Sequence, residues 1–206
     1  MTRIPEPRLS PVAILELRPT QMSVGLLEVE RKRAQWKTLP REGEERYLGR
    51  HMVPVVVGPS NRLYLIDHHH LALALHEEGI EHVLTVVQAD LSHLPRKLFW
   101  TVMERYCWAH PFDAEGVRQP PSAMPKSLLE LADDPHRSLA GEVRRRGGYA
   151  KSVQPFAEFL WADHFRQRMT RKLIRRDFKR AVATATEHAR HADARYLPGW
   201  CGVEHD

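Results

Sequence analysis

Cysteine is almost missing from this chain: Cys107 and Cys201 are the only two in 206 residues. They are far apart, and neither has a Cys or His neighbour at zinc-finger spacing. A disulfide framework and a structural zinc site are therefore not expected. Long apolar runs are missing as well. No stretch reaches the roughly 18 residues that a membrane-spanning helix needs. The first eleven residues, MTRIPEPRLSP, lack the apolar core of a signal peptide. A cytoplasmic chain without a membrane partner is expected. There are no low-complexity tracts and no internal repeats, which sets aside solenoid architectures.

What is present is a chain that is 42% hydrophobic, enough for one good core with a small second layer or subdomain. The net charge of +5 is uneven. From Arg137 onward there are 15 Lys+Arg against 8 Asp+Glu, or +7, so residues 1–136 carry −2. The basic character lies in the C-terminal third.

The order of elements follows from periodicity and punctuation. Residues 1–11 read as an extended arm, and AILEL at 13–17 reads as a short strand. Ser23 is placed to N-cap a helix through VGLLEVERKRAQW, and a charged helix follows at about 42–50. Val53–Val57 and Leu63–Ile66 are β-rich runs either side of GPSNR, a hairpin signature. A helix over about 68–78 is N-capped by Asp67 and stopped by Gly79, and His82–Gln88 is a third strand. KLFWTVMERYCW follows Pro95 as a helix with Leu98, Val102 and Arg105/Tyr106 on one stripe, which buries Cys107. After a Pro-rich stretch at 110–125, helices are predicted at about 125–132, 136–146, 154–168 and 170–191. The sum is an α+β fold: a small sheet with packed helices over 8–110, then a Pro-rich connection and a helical extension packed on that core over 111–206.

The densest chemistry is Asp67-His68-His69-His70. A helix start exposes unpaired N–H groups and the positive end of the helix dipole, a ready anion site. Histidines there add donors and acid–base groups, and a carboxylate can take a proton or hold Mg²⁺. Two other readings stand beside this one. The histidines form a metal box, although consecutive helical residues point about 100° apart and cannot share one ion unaided. Or Asp67 is a plain cap and the histidines are polar first-turn residues.

Resemblance adds to this. A strand running into YLIDHHHLALAL, with LRPTQMSVG earlier in the chain, resembles the ParB/sulfiredoxin fold. It is most similar to the branch described as ParB-like nucleases, and to the archaeal free-serine kinases that share the fold. The likeness covers roughly residues 10–90. It implies a nucleotide or phosphorylated small molecule as ligand, with Mg²⁺ as the possible cofactor on Asp67. Asp67, His69 and His70 match the motif's catalytic Asp and two histidines. His68 stands where the kinases have Gly, and Leu71 where they have a phosphate-binding Arg. The N-terminal loop with Thr20, Gln21 and Ser23 would line the same pocket. Glu28 is an acid–base candidate that reads better as an ordinary helix residue. The Cys of the sulfiredoxin motif and the Arg-rich motif of the partition proteins are both replaced here. The implied reaction is phosphoryl transfer or phosphodiester/nucleotide hydrolysis.

A rival reading rests on Arg166–Arg180, where eight of fifteen residues are basic. Arg168, Lys172, Arg175, Arg176 and Lys179 make a stripe that a nucleic-acid backbone would bind, as in a DNA-binding partition or regulatory module. The same stripe is also what a solvated helix face looks like. A non-catalytic scaffold with an idle motif is the third possibility.

Overall fold

Val53–Gly58 (β4) and Arg62–Leu65 (β5) form the centre of the sheet, because Val53, Val55, Val56 and Leu65 are all fully buried. This is a computed structural model, and it describes residues 11–202, so the expected N-terminal arm lies almost entirely outside the described residues. The hairpin forms in antiparallel register, Val55 opposite Leu65 and Gly58 opposite Arg62. Its connection is a single 3-10 turn, Pro59–Asn61, in which Ser60 and Asn61 take positive φ of 61° and 55°. Such left-handed residues match the twist of the flanking strands.

Pro11–Ala13 (β1), Arg18–Pro19 (β2) and His82–Asp90 (β6) complete a five-stranded sheet ordered β1-β6-β4-β5-β2. β6 runs parallel to β4 and antiparallel to β1, while β2 runs parallel to β5. The strand expected at 13–17 is interrupted, since Ile14–Glu16 coil into a 3-10 turn. Ile14 and Leu17 are both fully buried. Their spacing of three fits a 3-10 turn, whereas a strand would send them to opposite faces.

By internal packing the chain divides into two units. The first holds the described residues up to Ser23 together with Val29–Ala132; the second holds Val24–Glu28 and the described residues from Asp133. The Pro-rich stretch thus groups with the sheet. The helix Leu26–Lys37 (α1) begins among the residues of the second unit and continues in the first.

In the first unit follow Arg41–Arg50 (α2), His69–Glu77 (α3) and Arg96–Arg105 (α4). α3 buries everything from Leu71 to Leu75, and Arg33 of α1 clasps Glu77 and Glu78 at its far end (3.1 and 2.6 Å). α4 corrects the expected stripe: Phe99, Trp100 and Met103 are buried, and Leu98 is exposed. The rings of Phe99 and Trp100 pack on Tyr64 at 4.6 and 5.5 Å, so the aromatics set the helix rotation. Cys107 is exposed, with φ 55° in the turn that ends α4, and is not a core residue. The helix expected at 125–132 is absent. Pro121–Ala123 and Leu128–Glu130 are 3-10 turns, in a stretch where Pro120, Pro121 and Pro125 remove helix donors.

In the second unit Pro135–Arg145 (α5), Ala157–Arg166 (α6), Arg171–Arg176 (α7) and Phe178–Arg190 (α8) enclose a core of Leu139, Val143, Trp161, Phe165, Ile174 and Val182. The single helix expected at 170–191 is two. Asp177 (φ −149°, ψ 82°) leaves helical geometry, and its carboxylate accepts from the N–H of Arg180 to cap α8. Ser23 does not cap α1. Ser23–Val24 (β3) pairs with Ala132–Asp133 (β7), and the first N–H groups of α1 donate to the side chains of Asp133 and Ser138 instead. Gly25 is required beside Ser138: a Cβ there would stand 2.6 Å from the Ser138 backbone nitrogen.

Candidate functional site

The site is built by a pairing that neither segment announces alone. β2 and β5 are neighbours in parallel register, Arg18 beside Tyr64 and Pro19 beside Leu65. Parallel neighbours end at the same edge, so Thr20–Ser23 and Ile66–His70 leave the sheet together. Carboxyl ends of parallel strands are where open α/β sheets place ligands. Two hydrogen bonds lock the segments: the Thr20 N–H donates to His69 Nε2 at 3.1 Å, and the Thr20 hydroxyl donates to the Leu65 carbonyl at 2.7 Å.

This fixes the role of His69. The ring is buried, and its Nε2 accepts a proton from a backbone donor. A neutral ring in that position carries its hydrogen on Nδ1. Nε2 is therefore engaged in holding the loop against the helix. The Thr20 hydroxyl is engaged too. Gln21 is buried and donates from its amide to the Ser23 carbonyl, and its backbone bridges to His110. Ser23 is only 1% exposed, and its Oγ has no hydrogen-bond partner.

At the helix start the expected cap is corrected. Asp67 precedes the N-cap position, which His68 occupies in the left-handed region (φ 68°, ψ 20°). The Asp67 carboxylate accepts from the His68 N–H at 2.6 Å, and no side chain caps α3. Asp67 itself is exposed, and His70 is half-buried in the first turn. Its positive φ is a conformation that Gly adopts more readily than a residue with a Cβ.

His68 is further shaped by its surroundings. Burial holds its imidazole below the ordinary histidine value, against the pull of Asp67 and with the help of Lys32 and His51. Its Nδ1 is buried and has no partner. The His51 ring stands 6.5 Å away at 77°, and His51 stacks on Tyr47 at 4.0 Å. Lys32, Tyr47 and His51 lie on α1 and at the end of α2. Nothing in the sequence pattern singled them out, because their only signal is three-dimensional.

No group of three or more His, Cys, Asp or Glu stands together as metal ligands among the described residues. Asp67 supplies one exposed carboxylate. No helix among the described residues is long and apolar enough to cross a membrane.

The other expected residues lie in the helical unit. Arg168 lies between α6 and α7 and donates to the His164 carbonyl, so it is not on the helix that carries Lys172. Lys172, Arg175 and Arg176 are exposed on α7, and Lys179 is exposed on α8 beyond the Asp177 break. Arg175 pairs with Asp133 at 3.3 Å. The continuous stripe is thus divided over three segments. Glu28 is ion-paired with Arg145, as befits a structural helix residue.

The parallel neighbours β2 and β5 thus deliver a Pro-containing loop and a histidine-rich helix start at one end of the sheet. The chain belongs to the ParB-like family: the family model described as "Putative ParB-like nuclease" matches residues 10–167. It is also similar to protein Atu1540 from Agrobacterium tumefaciens, known from a crystal structure. The two share 53% identity with a TM-score of 0.91, over 98% of this chain and 100% of that one. None of the curated proteins matches. The fold is accordingly a ParB-like α+β core with a helical C-terminal extension.

Proposed function

We propose that this chain handles phosphate esters at the start of α3, as a phosphoryl-transfer enzyme or a nucleotide or phosphodiester hydrolase. The observation that carries this reading is the unfinished helix start. α3 is nine residues long and has no side-chain cap, and the carboxylate placed to cap it turns to the His68 N–H and stays exposed. A helix N-terminus and its dipole favour a bound anion. The buried, unpartnered Oγ of Ser23 and Nδ1 of His68 point the same way, since buried polar atoms are nearly always satisfied.

In this reading His70 and the α3 backbone hold phosphate oxygens. Asp67 orients a hydroxyl or takes Mg²⁺ carried in with the phosphates, an ion commonly held by one or two carboxylates plus phosphate. His69 keeps the Thr20–Ser23 loop in place. Catalysis in such a site is mainly positioning and charge stabilisation. A thermal-shift screen of nucleotides with and without Mg²⁺ tests it. Binding to the folded chain raises the melting midpoint, and Asp67→Ala removes the rise. A full response from Asp67→Ala overturns the reading.

A second reading is favoured by the exposed Lys172, Arg176 and Lys179: nucleic-acid contact through the helical unit. Its affinity would fall steeply with salt and survive Asp67→Ala. Charge reversal at Arg175 and Arg176 would abolish it. If neither nucleotide nor nucleic acid binds, the chain is a scaffold with an idle motif.

A further inference from the structure

A phosphate-handling reaction at the α3 start needs a group to take the proton of the attacking hydroxyl or water. In that reading His70 is committed to the phosphate oxygens and Asp67 to the hydroxyl or Mg²⁺, and the rest of the motif is poorly supplied. His69 Nε2 already accepts from Thr20. Gln21 is an amide and cannot serve as a base. His68 is held below its ordinary value by burial first, which makes it a weak acceptor.

We propose that His51, outside the motif, is the proton acceptor of this site. His51 closes α2, where its backbone N–H donates to the Tyr47 and Leu48 carbonyls (3.0 and 3.2 Å). Its ring Nδ1 lies 2.8 Å from the Tyr47 carbonyl oxygen. A carbonyl only accepts, so Nδ1 carries the hydrogen. In the neutral ring Nε2 then keeps its lone pair. The ring plane is set by its stack on Tyr47 (4.0 Å, 27°), and Tyr47 is in turn abutted by the edge of Trp36 at 5.7 Å. A base whose tautomer is fixed by a third group is the arrangement that activates nucleophiles in known sites. The ring stands 6.5 Å from the ring of His68, the N-cap residue of α3.

Capping alone accounts for Nδ1. Helix C-termini are usually closed by Gly or Asn, and a cap needs only one donor. It leaves unexplained a second nitrogen on a stacked, oriented ring beside the candidate site.

This inference rests on the reading above, and its step balances as follows. The attacking O–H gives its proton to Nε2 of His51 while the oxygen forms a bond to phosphorus. The P–O bond to the leaving group breaks with its electron pair on the departing oxygen. The imidazolium, stabilised by the Tyr47 carbonyl at Nδ1–H, returns the proton to that oxygen.

The test uses the full chain, with ATP and bis(p-nitrophenyl) phosphate as probes, each with Mg²⁺. His51→Gln keeps a donor for the Tyr47 carbonyl and is expected to fold. It should lower kcat by about 10²- to 10⁴-fold, with KM nearly unchanged. Added imidazole should restore part of the rate to His51→Ala. Unchanged kcat in both variants, or a loss confined to KM, overturns the inference and leaves the phosphate reading standing. Nucleotide binding without turnover in the unaltered chain also overturns it while sparing the binding site. Absence of both binding and turnover overturns the phosphate reading itself.

Discussion

Two helices in this molecule begin with an aspartate followed within two residues by a histidine, and they are opposites. α5 starts Asp134-Pro135-His136 and is closed. Asp134 is 1% exposed, its Oδ1 accepts from the N–H groups of His136 and Arg137, and its Oδ2 is paired with Arg166 at 2.6 Å. His136 Nε2 donates to the Met169 carbonyl at 2.8 Å. Pro135 supplies the fixed φ of a first helical position. α3 starts Asp67-His68-His69 and is open. Its aspartate is exposed, it has no side-chain cap, and its first histidine is left-handed. Residue type alone therefore does not separate a structural helix start from a candidate site. What separates them is the aspartate, buried and engaged through both oxygens at α5 and exposed at α3.

The largest expected difference between them is in stability. Asp134→Ala removes the acceptor of two N–H groups and leaves Arg166 with one carboxylate partner fewer. Breaking a buried pair in this way costs about 3–5 kcal/mol, and urea unfolding measures it. Asp67→Ala, at an exposed position, should stay within about 0.5 kcal/mol of the unaltered chain. Equal losses would erase the contrast.

Acid should weaken the helical unit next. Burial holds His164 down to about 4. Its folded value lies below the unfolded one, near 6.5, so as pH falls the unfolded chain takes the proton first. Stability is therefore full above about pH 6.5 and declines toward pH 4, by roughly 3 kcal/mol at most. His68 is lowered as well and acts in the same direction. The melting midpoint of His164→Phe, which keeps a ring in the core, should depend less on pH over this window. An identical slope would remove His164 as the cause.

Between these and the smallest effects lies His69. His69→Ala leaves the buried Thr20 N–H without its acceptor, a cost of about 1–3 kcal/mol. It should also loosen the loop that faces α3 and weaken nucleotide binding. His69→Gln, which can still accept, should recover most of the stability. If His69→Ala unfolds at the unaltered urea midpoint, the strut role falls.

The sequence made some of this visible and hid the rest for identifiable reasons. The hairpin, α3 and β6 follow from local signals: β-branched runs, turn formers and Gly79. The motif residues announced themselves by crowding. The β2–β5 pairing did not, because a two-residue strand has no periodicity to read. His51 and Tyr47 stayed hidden because their meaning depends on a ring 6.5 Å away in another element. Asp177 reads as part of one long helix because a lone aspartate among basic residues looks like a charge partner, whereas its side chain competes for backbone N–H groups. Leu98 misled by hydrophobicity where ring packing decided.

The smallest effect sharpens the contrast most. His68 holds φ 68°, a region costing a residue with a Cβ about 1–2 kcal/mol relative to its right-handed form. His68→Gly relieves that strain, but it gives the unfolded chain more freedom, worth about 0.4–1 kcal/mol in the other direction. It also gives up the contacts of a half-buried ring. The net change should be a gain of about 0.5 kcal/mol or less, read as a small rise in urea midpoint with an unchanged slope. Nucleotide binding should weaken in the same variant, because the imidazole between Asp67 and His51 is gone. A variant that gains stability and loses ligand marks His68 as a residue kept at a cost for what it binds. A loss of more than about 1 kcal/mol would instead make His68 a packing residue and α3 a second closed start, like α5.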